Sequence, residues 1–402
     1  MIIFNKSVRA YELVSLLSVV GEYPIASLGL LGNERCYKRL IREMSAKQTY
    51  HNSETGEEIT CVALSILRKN RPTVRLRMKA LPLMEWVGGA EYWQEAWGKS
   101  HWSGNESSIE RHHRVAEVVA MMQRANIEYR PWKMPKLQTE EYLPDLITES
   151  SFYISKEFKL KEQDDAKQIG FTRFTGVMAS PAECITVYNA RGSVMKWGKR
   201  GESKAKGNIH KYIKSSCRNS DIRKMILLSD NFDTAMATVL QTEKDEAKEV
   251  QYAKHKRKQS HSSHHSMTSL YKSVHYVPLN EFGAKQLQLL SIPNSREETL
   301  NLFYDEEELS YGNGSAVYDA YRGGRRIMSF LDGDIARLNM FKDAIEYHQR
   351  RGEHYDYAVL CFPEQKEGLI AYLGNDINYP TTNIDDVLHD LKENSESEEE
   401  YE

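Results

Sequence analysis

Between Val8 and Lys79 the apolar residues change period, from the three-to-four spacing of helices to runs of β-prone residues, and that switch limits what the N-terminal part of the chain can form. Leu13, Leu16, Leu17 and Val20 recur at helical spacing, and Gly21 stands where such a helix would stop. A second short helix can begin after Pro24 and turn Ile25, Leu28 and Leu31 inward. Gly32 and Asn33 then turn into GNERCYKRLIREM, where Tyr37, Leu40, Ile41 and Met44 form one stripe while Arg35, Lys38, Arg39 and Arg42 fall mostly opposite. Two or three β-prone runs follow up to Lys79, separated by turn segments at 52–56 and 69–72.

Three short helices and a basic hairpin are the layout of a winged helix-turn-helix, with the third helix as recognition helix and the hairpin as wing. Charge agrees with that layout. Residues 1–79 hold 13 Lys and Arg against 7 Asp and Glu, whereas the whole chain holds 54 against 57. A basic module in an otherwise acidic chain concentrates phosphate contacts in one place, so double-stranded DNA is the expected partner. The expected contacts are Arg35, Lys38, Arg39, Arg42, Lys47, Arg68, Lys69, Arg71 and Arg75. A winged helix that docks protein, with these cations as its solvated face, is the competing reading.

At 402 residues the chain has room for two or three cores. No apolar run approaches the ~18 residues of a membrane span, and the N-terminus lacks the pattern of a signal peptide. The expectation is therefore a cytoplasmic protein without membrane contact. Cys36, Cys61, Cys184, Cys217 and Cys361 show no Cys-x-x-Cys spacing, which argues against a zinc ribbon or a disulfide framework. Trp86, Trp93, Trp97 and Trp102 crowd one segment, read as packing rather than a platform for bases. Val115, Val118, Val119 and Met122 mark a helix that also carries His112 and His113.

From about Tyr142 the pattern alternates strand and helix. Candidate strands are 151–158, 184–189, 224–229, 274–279, 326–331 and 357–362, most of them followed by a helix. The fold class is thus α/β (α+β overall), with a winged helix over 1–80, a helical connector over 81–140, and an α/β domain with a central mixed sheet over 141–380. A His- and Ser-rich stretch predicts a mobile loop within 245–270, and an acidic tail is expected over 381–402.

Walker A, G-x-S-x-G and H-E-x-x-H sequences are absent, which removes support for nucleotide hydrolysis, esterase and zincin chemistry. A nuclease-like pattern remains. Metal-dependent phosphodiester cleavage needs carboxylates beside the scissile phosphate and a nearby cation. Asp145 precedes a strand ending Glu157-Phe158-Lys159, in the manner of PD-(D/E)xK nucleases; Asp145 and Glu157 would hold Mg²⁺ and Lys159 would complete the catalytic set. Glu-x-Lys recurs at 202–204, 246–248 and 364–366, so the motif discriminates poorly. Arg173, Asn189, Trp197, Glu202 and Lys204 are candidates to line one cleft. Asp332 reads as the N-cap of the helix that follows, with Asp334 favourable to its dipole.

GNERCYKRLI, ERHHRVAEVV, LPDL and CITVYN followed by a helix ending HKYI resemble, in that order, the plasmid replication-relaxation proteins of mobile elements. FYISKEFK, FTRFTGV, YNARGSVMKW and FLDGDIARLNMF look like a branch found in integrative elements of Gram-positive gut bacteria. The resemblance implies a winged helix joined to a nuclease-like, restriction-endonuclease-like domain. It implies a role in replication, transfer or their control, beside relaxosome or replication proteins. Family members carry acids on the strand that here reads ITVYN, and their absence implies a degenerate nuclease. The alternative is a Mg²⁺-dependent nickase or endonuclease. No cofactor is expected apart from that Mg²⁺, and a homodimer fits the layout.

Overall fold

The computed structural model describes residues 1–68, 70–98, 102, 105–129, 149–156, 172–180, 183–197, 201–213, 222–255, 265–309 and 317–399. It divides into two compact units, Met1–Met134 with Ser151–Glu157, and Pro135–Ser150 with Phe158–Glu402. Both mix helices with small sheets. The stretch read as a separate connector therefore belongs, as far as Met134, to the first unit.

In the first unit, β1 (Ile2–Phe4) leads into α1 (Arg9–Val20), whose Leu13, Val14, Leu16, Leu17 and Val19 are all buried. A helix apolar on every side must be covered on every side. β2 (Glu22–Pro24) follows, then a 3-10 helix over Ile25–Leu31 in place of the expected α-helix, with Leu28 alone fully buried in it. The stretch is seven residues long with Gly29 among them, and short 3-10 pieces of this kind serve as connectors. α2 (Glu34–Met44) is the helix expected as the third of the layout.

The β-prone stretch forms two sheets rather than one wing. β3 (Gln48–Asn52) and β4 (Glu58–Cys61) are an antiparallel hairpin that takes up β1 as a parallel neighbour. β5 (Leu64–Leu67) and β6 (Thr73–Leu76) form the second hairpin, completed by β2 in the order β2-β6-β5. α3 (Leu81–Trp86), α4 (Ala90–Ala96), α5 (Glu106–Arg124) and β7 (Ser151–Ile154) finish the unit.

The end of α1 shows how this unit closes. Its last carbonyls lack helical partners, and two indoles supply them: Trp97 Nε1 donates to Val19 O at 2.9 Å and Trp102 Nε1 to Val20 O at 3.0 Å. Gly21 leaves the helix at φ 78°, and a Cβ there would overlap the Trp97 ring. Trp102 also stacks on His112 at 5.3 Å. Trp97 and Trp102 are thus buried within the first unit rather than between domains.

In the second unit β8 (Phe174–Ala179) and β9 (Cys184–Arg191) are antiparallel. α6 (Gly201–Ile213) crosses to β10 (Lys224–Ser229), parallel to β9; α7 (Phe232–His255) and the short α8 (Met267–Leu270) lead to β11 (Ser273–Pro278), parallel to β10. α9 (Glu281–Ser291) and α10 (Ser295–Phe303) follow. A separate sheet then forms, β12 (Ala320–Arg322), β13 (Arg325–Ser329) and β14 (Asp356–Leu360), with α11 (Ile335–Arg350) between the last two and α12 (Pro363–Leu373) after them. α13 (Ile384–Glu399) buries Ile384, Val387, Leu388 and Leu391 in the core of this second sheet. The region read as an acidic tail from 381 is thus largely a packed amphipathic helix.

One central sheet was expected, and the edge of β11 explains why there are two. Its outer N–H groups are taken by a loop: Tyr276 N donates to Gly333 O at 2.8 Å and Val274 N to Asp334 Oδ1 at 3.1 Å. A strand edge satisfied in this way has no ladder left for β13. Asp334 is also the N-cap of α11, accepting from Ala336 N at 3.1 Å and Arg337 N at 3.3 Å. Around it lie Asp332, His275 with Nδ1 at 3.0 Å from Asp332 O, and Arg296 with an Nη at 3.8 Å from Asp332 Oδ2. Beyond them Arg296 and Arg337 hold Asp319 at 2.6 and 2.9 Å. Burial raises the Asp334 carboxyl to about 6, with the Asp332 charge adding and His275 and Arg296 opposing.

An acid raised in the folded state keeps its proton there after the unfolded chain has lost it. The associated stability is therefore full below the unfolded value of about 4 and falls as pH rises through about 6. Asp334→Asn keeps the cap oxygen and removes the ionisation. Urea midpoints measured from pH 4 to 7 should fall less steeply with pH for this variant than for the wild type; equal slopes would contradict the assignment.

Candidate functional site

α2 is built to present one face. Asn33 caps it by accepting from Cys36 N at 3.2 Å, and Tyr37, Ile41 and Met44 are buried, with Leu40 partly so. Tyr37 Oη donates to Glu12 on α1 at 2.6 Å, which fixes the rotation of α2 against α1. Burial, then that carboxylate, pushes the phenol well above its usual range. With the inward face held, Arg35, Lys38, Arg39 and Arg42 are all exposed, as is Lys47 just beyond the helix. Lys38 pairs with Glu34 at 2.5 Å and Arg39 with Glu43 at 2.8 Å, each one turn apart. Such exposed pairs contribute about 0.3–0.5 kcal/mol, so a phosphate can displace either carboxylate.

The hairpin divides the remaining cations differently. Arg71 is exposed at the β5–β6 turn, 3.6 Å from Glu110, and Lys69 lies outside the described residues. Arg68, at the base of the turn, has its guanidinium turned inward to the buried Glu22, with Thr73 Oγ1 at 2.6 Å and Trp102 O at 2.6 Å. Glu22 accepts further from Thr73 Oγ1 at 2.9 Å and Trp102 N at 2.7 Å. Arg75 is buried: it donates to Trp97 O at 3.2 Å and lies 5.8 Å from the Trp93 ring centroid, and burial pulls its guanidinium down from the ordinary value. Arg68 and Arg75 are therefore corrected from interface to interior. Strand alternation gave no warning, because every residue of β6 is buried. Arg77 and Lys79 are exposed just past β6 and extend the basic surface.

In the second unit Asp145, Glu157 and Lys159 lie outside the described residues. The expected cleft separates into parts. Glu202, fully buried at the start of α6, accepts from Arg173 N at 2.7 Å and from Tyr188 Oη at 3.1 Å, and Tyr188 shares a 3.0 Å hydrogen bond with the Tyr271 hydroxyl. Trp197 packs on Tyr188 at 5.4 Å and donates to His265 O at 2.7 Å. Burial raises both tyrosine hydroxyls far above their usual range. Asn189 follows Tyr188 in β9, and successive strand residues face opposite sides, so Asn189 does not share the Glu202 pocket. Its side-chain oxygen accepts from Arg191 N at 3.0 Å. Lys204 is exposed and leaves the cluster. Tyr271 is the member that the sequence did not reveal, since its hydroxyl looks like that of an ordinary turn aromatic until the fold brings it to Tyr188.

Among the described residues no group of three His, Cys, Asp or Glu could hold a metal ion, and no helix is long and apolar enough to cross a membrane. No family model matches the chain, nor does any curated protein or solved structure.

The divided roles of the two turn arginines can be separated by measurement. Arg68→Ala leaves Glu22 buried without its cation and should cost about 3–5 kcal/mol in urea unfolding. Arg71→Ala should shift stability by about 0.5 kcal/mol or less. Equal effects would contradict the assignment of Arg68 to the interior.

Proposed function

We propose that the chain is a double-stranded-DNA-binding protein of a plasmid or integrative conjugative element, acting in replication, transfer or their regulation. Its N-terminal unit is read as a winged helix and its second unit as a degenerate nuclease-like domain. The observation that carries this is the face of α2, with four exposed cations on a helix whose other side is anchored by Tyr37 and capped by Asn33. Topology supports it. The succession α1, β2, 3-10 helix, α2, β5, β6, with strand order β2-β6-β5, fits a winged-helix reading in which the β3–β4 hairpin is an insertion. On this reading α2 enters the major groove and the turn bearing Arg71 lies along the backbone.

The nuclease-like reading of the second unit draws on the β8–β9 hairpin followed by a crossover helix to the parallel β10. Its degeneracy draws on β9 itself, where Asn189 and Arg191 occupy the end of the strand at which a nuclease would place an acid and a lysine. An amide is a poor Mg²⁺ ligand beside a carboxylate. Relaxosome or replication proteins are the proposed assembly partners.

Arg39→Ala should lower duplex affinity by about 5- to 150-fold if it reads a base, or reduce the salt dependence by about one ion if it holds a phosphate. Fluorescence anisotropy with duplex DNA at several salt concentrations gives both; unchanged binding by a folded variant would remove Arg39 from the interface. Supercoiled plasmid incubated with saturating protein and Mg²⁺ or Mn²⁺ should remain intact. Nicking that Glu157→Gln and Lys159→Ala abolish would establish the nickase instead.

A further inference from the structure

The second unit carries a row of exposed tyrosines and arginines that neither its core nor the proposed duplex interface uses. Tyr321, Tyr347 and Tyr355 are 54 %, 51 % and 41 % exposed. Tyr347 and Tyr355 are joined by a series of contacts, and Tyr321 adjoins it through the strand register. Tyr321 on β12 stands opposite Arg326 on β13 in the strand register. The Arg326 guanidinium lies 3.5 Å from the centroid of the Tyr355 ring and donates to His348 Nε2 at 3.2 Å. His348 meets Tyr355 edge-on at 5.0 Å and Tyr347 at 5.7 Å. Arg351 extends the row over Tyr347 at 5.5 Å and donates to its hydroxyl at 2.6 Å.

Each planar group is held by the next. Because His348 Nε2 accepts from Arg326, its Nδ1–H is the donor to Glu353 at 2.6 Å, and Glu353 also pairs with Arg351 at 3.2 Å. The carboxylate within the row is thus occupied by its neighbours. Arg325 and Arg350 stand at the rim, opposite Asp356 in the strand register and 3.9 Å from Glu346 respectively.

We infer that this row binds single-stranded nucleic acid, with bases stacked on Tyr321, Tyr347 and Tyr355 and phosphates against the arginines. Flat rings alternating with guanidinium groups suit a strand whose bases are unpaired, since every base offers a π-face and every linkage a negative charge. Tyrosine and arginine also serve protein interfaces; what favours nucleic acid is that Arg325, Arg326, Arg350 and Arg351 stand in the row or at its rim and bring positive charge along the rings. The inference uses a different unit from the duplex interface and does not depend on it.

The test uses the full chain and a fluorescein-labelled oligothymidine of about 20 nucleotides, long enough for one binding site. The wild type should bind it. Tyr347→Leu and Tyr321→Leu should each weaken binding by about 5- to 150-fold for one lost stack, while Tyr347→Phe, which keeps the ring, should bind as the wild type. Both positions are more than half exposed, so Tyr321→Leu should melt like the wild type and Tyr347→Leu, which gives up the exposed Arg351 contact, close to it; Tyr355→Leu removes the tighter Arg326 stack. Duplex binding should be unchanged by the Leu variants and weakened by Arg39→Ala, which should leave oligothymidine binding intact. No binding of oligothymidine, or Leu variants that bind it as well as the wild type, would overturn the inference. A Tyr321→Leu/Tyr347→Leu variant that sediments as a smaller species with its oligothymidine affinity intact would overturn it too, showing a contact between copies.

Discussion

Main-chain groups buried at the ends of elements must find partners, and both units are organised around one such place. In the first, the last carbonyls of α1 are out of reach of water and are met by the indoles of Trp97 and Trp102. Meeting them fixes Trp97 and Trp102 at the end of α1. Trp102 then reaches Glu22, and Glu22 holds Arg68 and Thr73. The base of the β5–β6 turn is thereby set by the end of α1. In the second unit the corresponding place is the outer edge of β11, closed by Gly333 and Asp334. Because one carboxylate closes that edge and starts α11, a single residue ends one sheet and orients the helix that covers the next.

Electrostatics divides the basic residues of the first unit into two populations. Those on α2 face solvent and hold weak pairs with carboxylates one turn away, available for exchange with phosphate. Those at the base of the hairpin are inside, where Arg68 neutralises a buried acid and Arg75 lies among tryptophans. The turn between β5 and β6 carries non-glycine residues at positive φ, Arg68 at 61° and Arg71 at 124°. Such conformations cost about 1–3 kcal/mol each, and the buried pair at Arg68 offsets that cost.

Much of the secondary structure was legible because its signals are local. The stripe of α2 and the strand KMILLS depend on residues within a turn or two of one another, whereas the cap of α11 is Asp334 and not the expected Asp332. What was not legible depends on distant partners. The stretch 25–31 reads as a helix by period but packs as 3-10, because its neighbours bury only Leu28 fully. The C-terminal residues read as a solvated acidic tail, yet Ile384, Val387, Leu388 and Leu391 find the second sheet, with Asp385, Asp386, Asp390 and Glu393 exposed on the other face of the helix. The cleft inferred around Glu202 came apart because adjacency in sequence places Tyr188 and Asn189 on opposite faces of one strand.

The sequence by itself determined the amphipathic stripe of α2, the strand at 224–229 and the concentration of cations before Lys79, since these follow from spacing and charge. Tertiary structure alone decided which cations reach solvent, where one sheet ends and the next begins, and that Tyr321, Arg326, Tyr355, His348, Tyr347 and Arg351 form one row. The physical reason is common to all three. Burial and hydrogen-bond satisfaction are set by neighbours brought from far along the chain, and composition carries no record of which neighbours those are.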